Sequence, residues 1–347
     1  MKIKIYVRLL IIIGFLQYSC SSSQNDLQPN PTNFVFAKGA DIGWLSQMEA
    51  TGYQFKDTDG TNKNCLQLLK DRGINTVRLR VWVNPSSHPI NGHCSKDETV
   101  AMAVKAKNLG MRIMINFHYS DSWADPGQQN KPEAWSTHTF SELLNDVSQH
   151  TQDVLVALKD AGITPEWVQV GNEITGGLLF PEGSYTHFNQ MVQLLNKGYD
   201  ATKLIFPTSK VVIHLDKGND NSLYRWFFDQ AVANGLKFDV IGASFYPYWL
   251  NTNYTTIIAD LENNLKDLAT RYNKEVMVVE VGGNYEQVQD TKNMLTAVIQ
   301  AVKNVPNNKG LGVIYWEPQG EKTWSGYQLN AWQQDGKPSI ALDAFKE

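Results

Sequence analysis

The stretch from residue 166 to residue 177, EWVQVGNEITGG, decides how the chain is interpreted. An apolar run, residues 167–170, leads through Gly171 directly into Asn172 and Glu173. An ionised carboxylate is costly to bury unless something pairs with it. The stretch is therefore either a strand that ends in an ordinary surface loop or a strand that holds a functional acid at the rim of a barrel.

Apolar, strand-like runs alternate with helical patterns along the chain, and this alternation predicts a (β/α)8 barrel. Strands are predicted at residues 35–42, 76–83, 112–118, 166–173, 210–216, 240–247, 275–282 and 312–318. Helical patterns between them cover 64–72, 98–109, 140–161, 185–204, 222–234, 257–272 and 291–304. Alternation of strand and helix over one large domain is typical of this α/β fold. The alternative, a doubly wound open sheet, would normally carry a Gly-rich phosphate loop after its first strand, and KGADIGWLSQ is not one.

The first 19 residues are predicted to be a signal peptide. Lys2, Lys4 and Arg8 precede an apolar run, residues 9–16, that is too short to span a bilayer. Residues 17–20, QYSC, resemble a loose lipoprotein box, which predicts a lipid anchor on Cys20, a flexible tether at 20–33 and a catalytic domain at 34–347. The alternative is an ordinary signal peptide that ends near a chance cysteine. We expect an exported protein, either an outer-membrane lipoprotein at the cell surface or periplasmic face, or a secreted one.

Composition excludes some classes of partner. The net charge is −4 and no run is dense in Lys or Arg, so nucleic-acid binding has no electrostatic support. Ten tryptophans indicate a large core or an aromatic-lined groove. We expect a monomer with no cofactor and no metal, since KDTDGTNKN (56–64) lacks the third ligand and the closing Glu of a calcium loop. Cys65 and Cys94 form either one disulfide or two buried thiols.

Nearly every predicted strand ends in polar or aromatic side chains. In a barrel these ends converge on one face, where barrel enzymes keep their active sites. Eight such ends in register predict a site on that face. Candidates for substrate binding are Asp41, Trp82, Trp123, Asp125, His214, Asp216 and Trp316, and His118 is a candidate support of the rim. Indole rings suit the C–H faces of sugars, so at least one of the tryptophans is expected to be a stacking platform.

Two carboxylates stand out within this ring. Glu173 and Glu280 end the fourth and seventh strands, on opposite sides of the barrel mouth. Glycoside hydrolysis needs such a pair, one to protonate the leaving oxygen and one to attack the anomeric carbon, and a separation of about 5–5.5 Å gives retention. Arg80 and Tyr246 are predicted to keep the nucleophile ionised and hydrogen-bonded. Asn172 is predicted to hold a sugar hydroxyl.

The ordered motifs resemble glycoside hydrolase family 53, the endo-β-1,4-galactanases. They are KGADIGWLSQMEATGYQFKD, LLKDRGINTVRLRVWVNP, HYSDSWADPGQQNKPEAW, VGNEITGGLLFPEG, VIHLD, SFYPYW, VVEVG and GVIYWEP, which together span nearly all of residues 36–320. The resemblance implies a retaining endo-hydrolase of the β-1,4-galactan of pectin and type I arabinogalactan. It also implies Glu173 as acid/base and Glu280 as nucleophile. The loop after the seventh strand, GGNYEQVQD, is shorter than in some bacterial relatives that bind calcium there, which again predicts no metal.

Two other functions remain open at this point. A β-mannanase or endoglucanase of the same clan would use the same carboxylates on another polymer. A surface glycan-binding protein would keep the barrel without turnover, although the intact carboxylate pair argues against it.

Overall fold

A computed structural model describes residues 34–86 and 93–347 of the chain. Eight parallel strands close into a barrel, each hydrogen-bonded to its two neighbours in the order β1-β8-β7-β6-β5-β4-β3-β2. The strands, numbered here in chain order, are Ala37–Asp41, Thr76–Val81, Arg112–Phe117, Trp167–Val170, Lys210–Leu215, Val240–Phe245, Glu275–Val281 and Gly310–Trp316. The predicted (β/α)8 barrel is therefore confirmed, and each predicted strand overlaps an observed one.

Helices surround the barrel, and their ends follow the local sequence. Helices α1 to α9 are Leu45–Ala50, Cys65–Asp71, Lys96–Asn108, Phe140–Asp160, Phe188–Ile205, Asn221–Ala233, Tyr254–Arg271, Val288–Lys303 and Lys322–Ser325. Ser95 with Glu98, and Thr139 with Glu142, form capping boxes that fix the starts of α3 and α4. Helix α7 begins at Tyr254, three residues before the predicted start, because the Asn253 side chain caps it by accepting a hydrogen bond from the Thr255 amide.

Short elements escape the periodicity that reveals the long ones. Helices α1 and α9, and a two-stranded ribbon formed by Gly177–Leu178 and Gly183–Ser184, were not predicted. The two helices have six residues or fewer, less than two turns, and each strand of the ribbon has two residues, a single repeat of the alternating pattern. Tyr185–His187 forms a separate 3-10 turn in front of α5, so the helix begins three residues later than predicted.

The barrel interior is apolar at one end and polar at the other. An apolar cluster inside the barrel is separate from the larger core between strands and helices; it consists of Ala37, Met114, Trp167, Val212, Val240, Met277, Val279, Leu311 and Ile314. Two residues further along β3, β4 and β5, on the same face of each strand, lie the buried polar side chains of Asn116, Gln169 and His214. The carboxyl ends of the strands thus carry a polar layer, which is where the site forms.

Cys65 and Cys94 are buried free thiols, so the disulfide interpretation is wrong for this structure. The predicted signal peptide, the Cys20 anchor and the tether up to residue 33 lie outside the described residues. Within the described ranges, no helix has the length and apolar character needed to cross a membrane.

Candidate active site

The side chain of Glu280 lies in the polar layer, near the carboxyl end of β7. Its Oε1 accepts a hydrogen bond from Arg78 Nη1 at 2.9 Å, and its Oε2 accepts one from the Tyr246 hydroxyl at 3.2 Å. Burial raises the pKa of Glu280, while the guanidinium of Arg78 opposes that shift. Two donors and an adjacent positive charge are what a carboxylate needs to remain ionised as a nucleophile.

Arg78, not Arg80, is the cation beside Glu280. Beyond Glu280, the Arg78 guanidinium donates to Asp41 at 2.9 Å, to Asn172 at 2.8 Å and twice to Gln169. The prediction that Arg80 serves Glu280 is therefore wrong. Arg78 and Arg80 lie two apart in β2 and point to the same face, but a strand rises about 6.6 Å over two residues, which puts them in different layers.

Arg80 instead anchors an aromatic cluster. Its Nη1 donates to Glu317 and, at 3.4 Å, to Asp41. Its guanidinium carbon lies 4.5–6.0 Å from the ring centres of the four tryptophans that surround it, which are Trp44, Trp82, Trp123 and Trp316. Cation–π attraction and two carboxylates together stabilise this buried charge. Arg80 therefore positions aromatic rings.

Glu173 lies just beyond the end of β4 in a left-handed backbone conformation, with φ of 46°. This conformation is unusual for a residue with a side chain and is concentrated at functional sites. Its Oε1 accepts a hydrogen bond from Ser244 Oγ at 2.6 Å. Burial, and secondarily the negative charge of Glu280, raise the pKa of Glu173 well above its usual value. A carboxyl group that holds its proton at neutral pH can act as a general acid.

Ser244 brings the two carboxylates together. It pairs in register with Glu280 across the β6–β7 ladder, where neighbouring strands lie about 4.8 Å apart. Its hydroxyl also contacts Glu173, so both acids meet around one residue of β6. His214 Nε2 lies 2.8 Å from the Ser244 hydroxyl. Because that hydroxyl donates its hydrogen to Glu173, His214 Nε2–H donates to the hydroxyl oxygen.

Several residues predicted to bind substrate are buried inside the protein. Asp41, Trp82 and His214 each have 0% of their surface exposed. The Asp41 carboxylate accepts hydrogen bonds from Arg78, Arg80 and the Gly43 amide. Trp82 packs edge-on against Trp123, with 5.1 Å between the ring centres. These three predictions of substrate contact are wrong, because a residue at a strand end points either into the cleft or into the packing below it.

Asn172 and His118 support the rim from within. The Asn172 side chain donates to the carbonyl of Ala124 at 2.9 Å, and its oxygen accepts from Arg78. His118 Nδ1 accepts from the Ala124 amide at 3.2 Å, so both residues hold the loop after β3. Burial lowers the pKa of His118 well below its usual value and keeps the ring neutral.

The remaining candidates lie at the accessible end of the barrel. Trp123, Asp125 and Trp316 are half-buried, and Asp216 is 9% exposed. Asp125 accepts hydrogen bonds from the Gly127 and Gln128 amides and shapes its own loop. Asp216 accepts from Thr175 and lines a cavity of about 240 Å³ together with Glu173, Tyr246 and Trp249. We call this cavity the cleft pocket.

Sequence reasoning missed the roles of several residues. The Glu280 contact of Arg78, the Glu173 contact of Ser244 and the cleft-facing position of Trp249 were not assigned. Trp44 and Tyr327, whose rings lie 5.9 Å apart, were also overlooked. Side chains two residues apart on a strand point to the same face, so Ser244 could have been recognised as facing the same way as Tyr246. The sequence carries no comparable signal for Trp44 or Tyr327, which come from loops.

A closed parallel barrel that gathers two carboxylates at the ends of its fourth and seventh strands has the architecture of a barrel glycoside hydrolase. The chain belongs to glycosyl hydrolase family 53, whose family model matches residues 37–345. It is 35% identical to a probable arabinogalactan endo-β-1,4-galactanase A of Neosartorya fischeri, over 81% of this chain and 83% of that protein.

Two solved structures have the same fold throughout. The family 53 catalytic domain of Ignisphaera aggregans superposes with a TM-score of 0.84 and 30% identity, covering 91% of this chain and 98% of that one. A fungal β-1,4-galactanase gives a TM-score of 0.82 at 30% identity, covering 90% of this chain and 100% of that one.

Proposed function

We propose that this chain is a retaining endo-hydrolase that cleaves β-1,4-galactosidic linkages in pectic galactan and type I arabinogalactan. The observation that carries the proposal is the meeting of Glu173 and Glu280 around Ser244, with the Arg78 guanidinium bonded to Glu280 and a neutral hydroxyl bonded to Glu173. The choice of galactan rests on family 53 membership and on the galactanase names of the relatives.

The two carboxylates divide the chemistry between them. Glu280 attacks the anomeric carbon while Glu173 gives its proton to the glycosidic oxygen, so that the C–O bond breaks and a covalent glycosyl-enzyme forms. Glu173, now ionised, then takes a proton from water, whose oxygen attacks the same carbon and releases Glu280. The configuration at that carbon is inverted twice and therefore retained.

The cleft pocket is assigned to the leaving sugar. Glu173 lines this pocket, and the group that protonates the leaving oxygen lies on the side of the departing sugar. Trp249, which also lines the pocket, is 60% exposed and offers a flat indole to the C–H face of a sugar ring. Lys217 and Asn219 add polar groups to the lining.

Timed product analysis on a panel of polysaccharides tests the substrate. We expect the protein to release galacto-oligosaccharides from linear β-1,4-galactan and nothing from mannan or β-glucan. Products from mannan or glucan without products from galactan would support the other enzyme class and contradict this proposal.

Variants of the two acids test the mechanism. Glu280→Ala should abolish turnover while oligosaccharide binding stays measurable, because the binding surfaces remain. Glu173→Ala should lose far more activity on galactan than on an activated aryl glycoside, whose leaving group needs little protonation. Equal losses on both substrates would contradict the acid role, and binding of galactan by the unmodified protein without turnover would indicate a glycan-binding protein.

We further propose that the domain at 34–347 acts as a monomer outside the cytoplasm, tethered by residues 20–33 to a lipid on Cys20 after removal of residues 1–19. The support is the basic, then apolar, then Cys-containing order of the first 20 residues.

Metabolic labelling with a radioactive fatty acid should mark the protein and fail to mark the Cys20→Ala variant. Unlabelled protein that is secreted freely would favour an ordinary signal peptide. Light scattering on the purified domain measures the oligomeric state.

A further inference from the structure

A second and larger cavity lies at the same end of the barrel. It measures about 380 Å³ and is lined by Pro247 and Tyr248, by the start of α7, and by residues leading from β7 into α8. We call it the outer pocket. The short turn Pro247–Leu250 separates the two cavities, because Trp249 and Leu250 line the cleft pocket whereas Pro247 and Tyr248 line the outer one.

The lining of the outer pocket suits an uncharged, polyhydroxylated ligand. Asn251, Gln287 and Asp290 line it, and none of their side chains has a hydrogen-bond partner within residues 34–86 and 93–347. Amide and carboxylate groups without partners are available to sugar hydroxyls. The rings of Tyr248 and Tyr254 add aromatic surface, which suits the C–H faces of a sugar.

The charges in the outer pocket exclude two other ligand classes. Among the described residues that line it there is no Lys or Arg, so they offer no counter-charge to a phosphate or carboxylate. Asp290 is the one acidic residue in that described lining, too few for a cation that prefers six or more oxygen ligands with several carboxylates. A neutral sugar is the class that remains.

The outer pocket lies close to the reacting centre. Gly282 lines it and follows Glu280 by two residues, a distance of about 7 Å along a strand. On the other side, Tyr246 bonds Glu280 and immediately precedes Pro247 of the dividing turn. A sugar in the outer pocket is therefore beside a galactan backbone that occupies the cleft. A cavity of this size is at the lower end of small-ligand sites, which suits one or two sugar units.

We propose that the outer pocket binds a neutral sugar carried as a side branch on the galactan backbone, such as an arabinosyl substituent. This inference rests on the proposed galactanase function and deepens it. The backbone runs past Glu173 and Glu280, while the branch enters the outer pocket on the far side of the turn Pro247–Leu250. The pocket thereby favours cleavage near branch points.

The double variant Asn251→Ala/Gln287→Ala tests the proposal without touching the cleft. Both side chains lie at the surface and make no hydrogen bond to the described residues. Asn251 has a left-handed backbone with φ of 50°, so its change to Ala should lower the unfolding temperature slightly while the protein stays folded, as thermal unfolding will check. The measurement is kcat/KM on linear galactan and on arabinosyl-branched galactan. Each neutral hydrogen bond lost to the branch weakens binding modestly, so the ratio of branched to linear kcat/KM should fall by about three- to tenfold.

A matched control comes from the other end of the same helix. Gln300→Ala/Asn304→Ala changes the same residue types at the end of α8, where Gln300 is about 20 Å from Gln287 along the helix. This control should leave the ratio unchanged.

Two results would overturn the branch assignment. An unchanged ratio in Asn251→Ala/Gln287→Ala would mean that the pocket does not contact the branch. An equal loss on both polymers would mean that it binds the backbone instead. Failure of the unmodified protein to cleave linear galactan would contradict the proposed function itself, so the two failures are distinguishable.

Discussion

At the residue scale, the main feature is a chain of hydrogen bonds that ends on Glu173, the proposed general acid. Burial keeps His214 neutral by lowering its pKa well below the usual value, and its Nε2–H supports the Ser244 hydroxyl that donates to Glu173. The Ser244 bond stabilises the ionised form of Glu173 and so opposes the upward pKa shift that burial causes. The acid is thereby held protonated at rest yet able to release its proton.

Ser244→Ala should therefore raise the pKa of Glu173 further. Activity is lost on the alkaline side when Glu173 deprotonates, so that limb of the pH–kcat/KM profile should move to higher pH. A hydrogen bond to a charged group is worth about 1.5–3 kcal/mol, which corresponds to roughly one to two pH units. An alkaline limb that stays in place would contradict this role of Ser244.

Tyr246→Phe is the complementary variant, because it removes a hydrogen-bond donor from Glu280. It should move the acid limb of the same pH profile to higher pH.

Lysine substitutions should distinguish the roles of Arg78 and Arg80. The shorter ammonium loses the forked contact of Arg78 with Glu280 and Asn172, so the pKa of Glu280 should rise. Glu280 must be ionised to attack, and the acid limb should accordingly move to higher pH, with kcat/KM reduced about tenfold or more at neutral pH. Arg80→Lys should loosen the tryptophan cluster and lower the unfolding temperature while leaving the acid limb in place. A shift of that limb in Arg80→Lys alone would restore the original assignment.

At the element scale, the position of helix α5 against the barrel depends on the absence of a side chain at Gly198. A Cβ added there would lie 2.6 Å from Val170 Cγ1 and 2.8 Å from the Tyr119 hydroxyl. Val170 is the last residue of β4, three positions before Glu173. The helix thus packs directly on the strand that leads to Glu173.

Gly198→Ala should destabilise the protein although alanine is the better helix former. The gain in helix propensity is about 1 kcal/mol, whereas overpacking of a tight contact costs about 1–3 kcal/mol. We expect a net loss of about 1 kcal/mol in the free energy of unfolding, measured in urea. Lys197→Ala, on the exposed side of the same helix, is the control and should change stability by less than about 0.5 kcal/mol. A variant as stable as the unmodified protein would mean that the helix moves away at no cost.

The long strands and helices were predictable from the sequence because their burial leaves a clear pattern of apolar residues. All eight barrel strands and seven helices were located, since apolar runs and 3.6-residue patterns mark them directly. The contacts at strand ends were not, because period two gives the face of a side chain but not its layer. For the same reason the sequence does not distinguish Arg78 from Arg80 as the partner of Glu280, or a buried Trp82 from a stacking platform. Strand order, by contrast, is enough to bring Glu173 and Glu280 to the same residue, Ser244.

At the scale of the whole molecule, stability depends on pH through a buried neutral histidine remote from the candidate site. His150 on α4 packs against the rings of Phe117, Tyr119 and Trp135, and burial lowers its pKa to about 4. Lys96 adds to that shift and Asp153 opposes it. In the unfolded chain the same group titrates near 6.5. Between these values the unfolded chain binds a proton that the folded protein rejects, so folding loses stability as pH falls.

His150→Gln should remove this contribution to acid sensitivity. Between pH 7 and pH 5 the variant should lose about 1–2 kcal/mol less unfolding free energy than the unmodified protein. Urea titrations at both pH values measure the difference. Equal losses in the two proteins would contradict a lowered pKa of His150 in the folded protein.

The tryptophans around Arg80 also contribute to the fluorescence of the molecule. Trp44, Trp82, Trp123 and Trp316 surround one guanidinium, and Trp324 lies 6.2 Å from Trp44, so five of the ten indoles lie in one cluster. Trp123, Trp316 and Trp324 are half-buried, so a ligand bound beside them changes their surroundings. Intrinsic fluorescence therefore provides a built-in optical sensor of the barrel mouth, and titration of an inactive variant with oligosaccharide can be followed without any attached dye.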